Sequence, residues 1–547
     1  DIRTERFGSA KHVWEVNRLQ FLTKIAISYK KTGDEKYLRQ FHHITASWIK
    51  ENPYLLGVNW YSNIEVNLRL ITWFLCWEIL DVNNILKENR QHTFITFVNE
   101  QWIPCIYLHC RYSYENPSKF SSANNHLISE YSGLFVAASF WKFPESEKWV
   151  RYAKKGLEKE IVLQHTADGA NREEAAEYIQ FITDFFLLPY VVSERTKNPF
   201  SEDYRQMLGK IFRYIHDLMD QRGNVPFYGD EDDGKTFILY TEKHADNFKS
   251  LLTSAAIIFG KADFKRKSNG FDLKNQYLFG EEGRRIFEKL PEETAEEPSV
   301  FYPESGHFTF KGKVQQKEIY AHLDAAPLGF LSIAAHGHAD ALSFVLRING
   351  TPVFVDPGTY TYHTEPVWRH YFIGTLAHNT IRVDGTDQAT ITGPTMWHDH
   401  YSVEIKDQGC ENEKDWVEAA HNGYEKIGIK HSRKFTFYKA EGRVVIEDEL
   451  QNTDGKAHLF EIPFHLFPGA TINKESGHSF KINSGNEQVT LKLDGQIENT
   501  EIVTGREDPV LGWFSPSFQQ KQESTTIYNS IKSSKSLKLV SEIIIHS

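Results

Sequence analysis

The sequence predicts an α+β protein of more than one domain, with a helical toroid or bundle over residues 1–290 and an antiparallel β-sandwich over 301–547. Three observations carry that expectation. The chain has 547 residues, too many for one ordinary core. The spacing of apolar residues changes near residue 290, from helical to short alternating runs. The change coincides with "LPEETAEEPSV", residues 290–300, an acidic, proline-flanked linker.

The helical half is read element by element. In "DEKYLRQFHHITASWIKENP" the apolar set Tyr37, Phe41, Ile44 and Trp48 falls at helical spacing, and Pro53 closes the run. "SNIEVNLRLITWFLCWEIL", "HLISEYSGLFVAASFW", "SEKWVRYAKKGLEKEIVL", "REEAAEYIQFITDFFLL" and "SEDYRQMLGKIFRYIHDLMD" follow, separated by Gly, Pro and Asn. Several are apolar nearly all round and so are expected to be packed on several sides. Beyond the linker, "PVFVDPGTYTY", "NTIRVDG", "HSRKFTFYKAEGRVVIEDEL", "HLFEIPFHLFPGATI" and "QVTLKLDG" read as strands with no helices between them, hence antiparallel sheets.

Composition narrows the function. With 62 basic and 73 acidic residues the net charge is −11, which argues against tracking a nucleic-acid backbone, although a local basic cleft for a polyanion remains compatible with it. The 38 Phe, 25 Tyr and 12 Trp pack cores and also offer flat faces to sugar rings. Cys76, Cys105, Cys110 and Cys410 lack metal-knuckle spacing and imply no disulfide framework. No apolar run is long enough to span a membrane. The chain opens "DIRTERFGSAKHVWEV", without Met or a signal peptide, so either a removed leader or a start inside a longer protein is expected.

"GDEDDGKT", residues 229–236, fits the phosphate-loop pattern literally. Its four consecutive acids, Asp230 to Asp233, would repel a phosphate, and no strand precedes it, so nucleotide binding is rejected. A calcium loop fails as well, because its twelfth position is Thr241 rather than Glu. A solvated acidic turn is expected.

"LSIAAHGHADALSF", residues 331–344, reads as a buried strand carrying His336 and His338 on one face. A satisfied polar pair would explain two such histidines. Asp356 at the end of the next strand and His378 at the start of a later one allow a second reading, in which His338, Asp356 and His378 hold one divalent ion, structural or with an open fourth position. In "SSANNHLISE", Asn124, Asn125 and His126 precede a helix. One Asn suffices as a cap, and Glu130 lies near the capping-box position, so Asn-Asn-His exceeds what capping needs. Tyr178 stands on a helix opened by Asn171.

Together, "NNHLISEYSGLFVAASFWKFPESEKW", "DGANREEAAEYIQF", "HGHADALSFVLRINGTPVFVDPGTYTY" and "WRHYFIGTLAHNTIRVDG" resemble, in order, the heparinase II/III superfamily of polysaccharide lyases. The resemblance implies an incomplete α/α toroid followed by an antiparallel β-sandwich. It implies catalytic roles for Asn125, His126, Tyr178 and His336, substrate contacts from Asn59, Tyr61, Arg369 and Tyr371, and a structural ion, zinc by expectation, on His338, Asp356 and His378. "NREEAAEYIQF" departs from the family near the tyrosine, where a small hydroxyl or Gln is usual.

The expected activity is β-elimination on a uronate-containing polysaccharide, a glycosaminoglycan first (heparan sulfate or heparin, chondroitin or hyaluronan), in the periplasm or outside the cell. Asn125 and His126 would neutralise the uronate carboxylate, and His126 or His336 would lower the Tyr178 pKa enough for it to act as a base. Tyr178 and His336 are expected to come from different domains, with the site in the cleft between them. Three alternatives remain: an alginate or oligoalginate lyase, a glycoside hydrolase using Glu173 and Glu174, and a non-catalytic carbohydrate-binding protein. The two glutamates would diverge by about 100° on a helix and could not flank one bond.

Overall fold

A computed structural model of the chain describes residues 9–89, 91–239, 246–292, 297–475 and 477–546. Thr241 and residues 293–296 of the expected linker lie outside them. The chain forms two compact units. One comprises Asp1–His165, Gln180–Phe212 and Gly234–Glu293, and the other Thr166–Ile179, Arg213–Asp233 and Thr294–Ser547. The segments carrying Tyr178 and Asp230 therefore belong with the β-rich C-terminal half.

The first unit is helical, as its periodicity predicts. Helix Asn63–Leu80 is buried at every position except Glu78, and helix Asn125–Phe140 is buried over most of its circumference. Such helices cannot be amphipathic surface elements, and neighbours surround them. Gly133 permits their close approach: a Cβ there would lie 2.5 Å from Asn67 Oδ1. Glu65, inside the first of these helices, is matched by Arg18, whose Nε and Nη2 donate to its two oxygens at 2.8 and 2.9 Å. Burial opposes the Glu65 charge, but Arg18, Arg69 and His126 together hold its pKa below the ordinary value. Among the described residues no helix is long and apolar enough to cross a membrane, and all four cysteines are free.

The second unit is built on antiparallel sheets. Strands Val300–Tyr302, His307–Val314, Lys317–Asp324, Phe344–Ile348 and Thr351–Phe354 pair in sequence order as a five-stranded meander. An eight-stranded sheet runs in the order Thr471–Lys474, Ser479–Ser484, Glu487–Lys492, Leu537–Ile545, Arg443–Asn452, Ile429–Tyr438, Lys414–His421, Val403–Cys410. A third sheet pairs Asn499–Thr504, Thr525–Ser533, His458–His465 and Arg382–Val383. One apolar core joins all three. The buried Phe344 of the meander packs on Phe435 of the eight-stranded sheet and Phe464 of the four-stranded one, at ring-centroid distances of 5.6 and 6.3 Å. Alternating burial along Lys414–His421 and Leu537–Ile545 is the period-2 signal of strands with one face inward.

Candidate active site

In the helical unit, Asn124 is the N-cap of helix Asn125–Phe140, its side chain accepting from the His126 amide at 3.3 Å. Capping thus uses the first residue of Asn-Asn-His. Glu130 does not close a capping box. Its carboxylate accepts from the Ser118 amide at 2.8 Å and the Ser118 hydroxyl at 2.5 Å. Asn125 is buried and His126 half-buried. Of the expected substrate contacts in this unit, Asn59 is buried and donates to Asn52 Oδ1 at 2.7 Å. Its carbonyl accepts from Arg69, whose guanidinium lies over Trp48. Tyr61 is 64% exposed and stacks against Trp14, a flat aromatic face open to solvent.

In the β-rich unit the His-Gly-His segment is not a strand. Residues 331–336 form turns and residues 337–338 belong to no regular element, between strands Lys317–Asp324 and Phe344–Ile348, with positive φ at Leu331 and Ala334. The backbone bends because it is pressed against its neighbour: a Cβ at residue 337 would lie 1.5 Å from the Leu328 carbonyl oxygen, which only glycine avoids. Alternation of small and polar residues mimicked a strand; the close approach that forbids one is tertiary.

The second correction concerns the acidic run 229–236, expected to be solvated. Asp230 is completely buried. Its Oδ1 accepts from His338 Nε2 at 3.0 Å and its Oδ2 from His336 Nδ1 at 3.3 Å. Arg369 donates to both oxygens, the Nη2 bond measuring 2.9 Å, and its Nε donates to the Pro394 carbonyl. Burial alone would raise the Asp230 pKa, but Arg369 and then the two histidine bonds hold it far below the carboxylate range. Arg369, expected to contact substrate, is buried, and three of its N–H groups go to Asp230 and the Pro394 carbonyl. Tyr371, assigned the same role, is buried within an apolar cluster with Phe372 and Leu511.

Tyr178 is buried in the same unit as His336 rather than in a different one. Their rings stack with centroids 4.3 Å apart, and the Tyr178 hydroxyl is hydrogen-bonded to that of Tyr362 at 3.1 Å. The helix carrying Tyr178 begins at Ala176, later than expected, because Asn171 caps a turn by accepting from the Glu173 amide. Glu173 and Glu174 consequently precede the helix, and they still diverge. Glu173 comes within 3.7 Å of His336, whereas Glu174 pairs with His307 at 2.8 Å. Two carboxylates with separate partners do not make a hydrolase pair.

The expected lowering of the Tyr178 pKa is absent from the free protein. Burial pushes it well above the ordinary value, Asp232, Asp230 and Glu173 act the same way, and the Tyr362 hydrogen bond acts downward. For His336, burial acts downward, but the Asp230 hydrogen bond and the charges of Glu173, Asp230 and Asp232 outweigh it and raise the pKa. The phenol is therefore held as a proton donor beside an imidazole that favours its cation.

The expected metal ligands do converge. His338, Asp356 and His378 are buried, and one ligand atom from each lies within 4.8 Å of the others. His338 Nδ1 and His378 Nε2 are buried without a hydrogen-bond partner among the described residues. Two orphaned imidazole nitrogens beside a carboxylate suit a divalent ion. Asp356 ends the run after strand Thr351–Phe354, and His378 follows a 3-10 turn rather than opening a strand.

Sequence reasoning missed Asp230 and Tyr362. Tyr362 lies inside the quoted "VDPGTYTY", but no spacing rule points from it to Tyr178.

Comparisons with known proteins bear on the fold and the family. Residues 6–252 match the family model described as heparinase II/III N-terminus, and residues 294–545 match heparinase II/III-like, C-terminal. A heparin-sulfate lyase of Bacteroides stercoris is 21% identical over 95% of this chain and 73% of its own length. That of Pedobacter heparinus is 24% identical over 68% of this chain, which spans 52% of that relative. Among solved structures, heparinase III superposes with a TM-score of 0.75 at 17% identity, covering 97% of this chain and 76% of that one. The chondroitin AC lyase of Streptomyces coelicolor A3 gives 0.55 at 12%, covering 97% and 74%. With two consecutive family models matching its two halves, the chain belongs to the heparinase II/III superfamily.

Proposed function

We propose that the protein is a polysaccharide lyase that cleaves glycosaminoglycan, heparan sulfate first, by β-elimination to 4,5-unsaturated uronate products. The observation that carries the reading is the Tyr178 phenol stacked on His336 and hydrogen-bonded to Tyr362. The two relatives named as heparin-sulfate lyases favour heparan sulfate over chondroitin or hyaluronan, and over alginate.

The C5 proton of a uronate becomes acidic only once the carboxylate charge is met. Asn125 and His126 supply donors for the charge that develops there, where preorganised hydrogen bonds are usually the largest contribution. Tyr178, protonated in the free protein, delivers its proton to O4 as the C4–O4 bond breaks and the C4–C5 double bond forms. If Tyr178 takes the C5 proton as well, it must first release its own proton to solvent, with the surrounding negative charge offset; it then returns the C5 proton to O4, and elimination is syn. If His336 takes it, the imidazole must first give up the proton its acidic neighbours favour, and elimination is anti, with Tyr178 protonating O4. An iduronate-selective loss in His336→Ala would favour the anti route.

His338, Asp356 and His378 would hold zinc, the ion whose usual donors are these side chains. The ion would supply a compact positive charge joining three chain segments, and its loss would mainly lower stability. Action on such polymers fits a periplasmic or secreted protein.

The test is incubation with heparan sulfate, chondroitin, hyaluronan and alginate, following ultraviolet absorbance of the unsaturated uronate. Heparan sulfate should give the fastest rise. Absorbance from alginate alone would move the substrate to polyuronates. No absorbance from any polymer, with saturated reducing ends appearing instead, would replace the lyase by a hydrolase. Tight binding without turnover, unchanged in Tyr178→Phe, would leave a binding protein.

A further inference from the structure

We propose that Asp230 is a positioning residue that, with one carboxylate, sets both histidines of the His336-Gly337-His338 segment and so links the catalytic imidazole to the metal ligands. The proposal rests on the roles given above to His336 and His338. A carboxylate offers about four acceptor positions, and all four are used: His338 Nε2, His336 Nδ1 and two guanidinium donors of Arg369. The Asp230 amide also donates to the His336 carbonyl at 2.8 Å, fixing the backbone that carries one ring to the backbone that carries the anchor.

The consequences differ for the two rings. Binding His338 through Nε2 makes Nδ1 its remaining nitrogen, and Nδ1 is the atom left without a hydrogen-bond partner beside Asp356 and His378. A carboxylate on the far nitrogen of a metal-binding histidine orients the ring and raises its basicity. Binding His336 through Nδ1 turns Nε2 away from Asp230, while the ring face stays on Tyr178. An amide could not do the same. Asn has one acceptor oxygen, and its NH2 would face one histidine N–H and one Arg369 N–H, leaving two buried donors unpaired.

A purely structural ion pair is the competing role, since a buried carboxylate–guanidinium pair can be neutral for stability and still fix geometry. The distinguishing test uses the full-length protein loaded with zinc, or with cobalt(II) as a spectroscopic probe, as wild type, Asp230→Asn, Asp230→Glu and Arg369→Lys. Asp230→Asn should lose about 10–100-fold in zinc affinity measured by chelator competition. Its cobalt(II) absorption spectrum should change, and its kcat should fall at least about tenfold with KM little altered. Arg369→Lys leaves both histidine bonds in place and should keep the native cobalt(II) spectrum while unfolding at lower temperature.

Folded Asp230→Asn with wild-type zinc affinity and an unchanged spectrum would overturn the proposal, however far its melting temperature falls. If Asp230→Asn does not fold, Asp230→Glu decides by the same two readouts, because it keeps the charge and moves only the anchor. A wild type that takes up no divalent ion also overturns it. If wild type binds metal but cleaves no uronate polymer, the lyase reading fails, while metal affinity and spectrum still decide the role of Asp230. If wild type cleaves and Asp230→Asn matches it in every readout, Asp230 fails and the lyase reading stands.

Discussion

The candidate residues of the two compact units are placed in two different ways. Asn124, Asn125 and His126 are consecutive, and a helix start places them: Asn124 caps, and the next two side chains follow from the first turn. The cluster around Asp230 draws on residues 230, 336, 338 and 369, up to 139 positions apart, and no local rule brings them together. The first arrangement is set by contacts within a few residues. The second depends on each packing contact that sets the backbone at residues 229–230 and 336–338. The two regions also treat charge differently. The helix start leaves His126 half-buried, in a field that includes Glu65, whereas Asp230, His338 and Arg369 are shut away from water, where every unmet donor is expensive, and only His336 of that cluster keeps some exposure.

Substitutions can break this contrast in order of size. Tyr178→Phe removes one hydroxyl and keeps the ring on His336, so turnover should fall on the order of 10²–10⁴-fold while substrate binding persists. Parallel kinetic and equilibrium-binding measurements check this, and full activity would remove Tyr178 from the mechanism. Gly337→Ala sets a methyl against the Leu328 carbonyl and should cost about 2–4 kcal/mol in unfolding experiments, with loss of metal uptake. An alanine tolerated there would show that the turn can relax.

In the helical unit, burial pushes Glu130 up to about 7, against the hydrogen bonds from Ser118. The folded state then retains a proton that the unfolded chain releases above the ordinary value of 4.5, so wild type loses stability as pH rises from 4.5 to about 7. Glu130→Gln lacks that loss. Its stability relative to wild type should climb by roughly 1–3 kcal/mol across the window and level off above it, as read from denaturation at several pH values. A flat difference would mean that Glu130 ionises normally. Asn124→Ala should cost about 1 kcal/mol, the usual worth of a lost N-cap. An accompanying fall in kcat would show that the cap also aims Asn125 and His126.

Much of the molecule was legible before any coordinates. Helical spacing gave the N-terminal half, alternation gave the strands, and His338, Asp356 and His378 emerged from residue type and strand-end placement. Local features that failed did so for identifiable reasons. The His-Gly-His segment alternates like a strand, but Leu328 blocks it. Asn171 looks like a helix cap and caps only a turn, so Glu173 and Glu174 fall outside the helix. Nothing near Arg369 in the sequence shows that the acid at position 230 pairs with it.

By itself the sequence determined the division into helical and sheet-forming halves, the capping of helix Asn125–Phe140 and the kinds of side chain available for chemistry. These depend on periodicity and on contacts a few residues apart, which a linear reading captures. Tertiary structure alone decided that Tyr178 shares a compact unit with His336, that the acid at position 230 is buried rather than solvated, and which nitrogen of each histidine is occupied. The reason is that a buried charge persists only where distant donors meet it. Which donors arrive is settled by the packing of the whole unit.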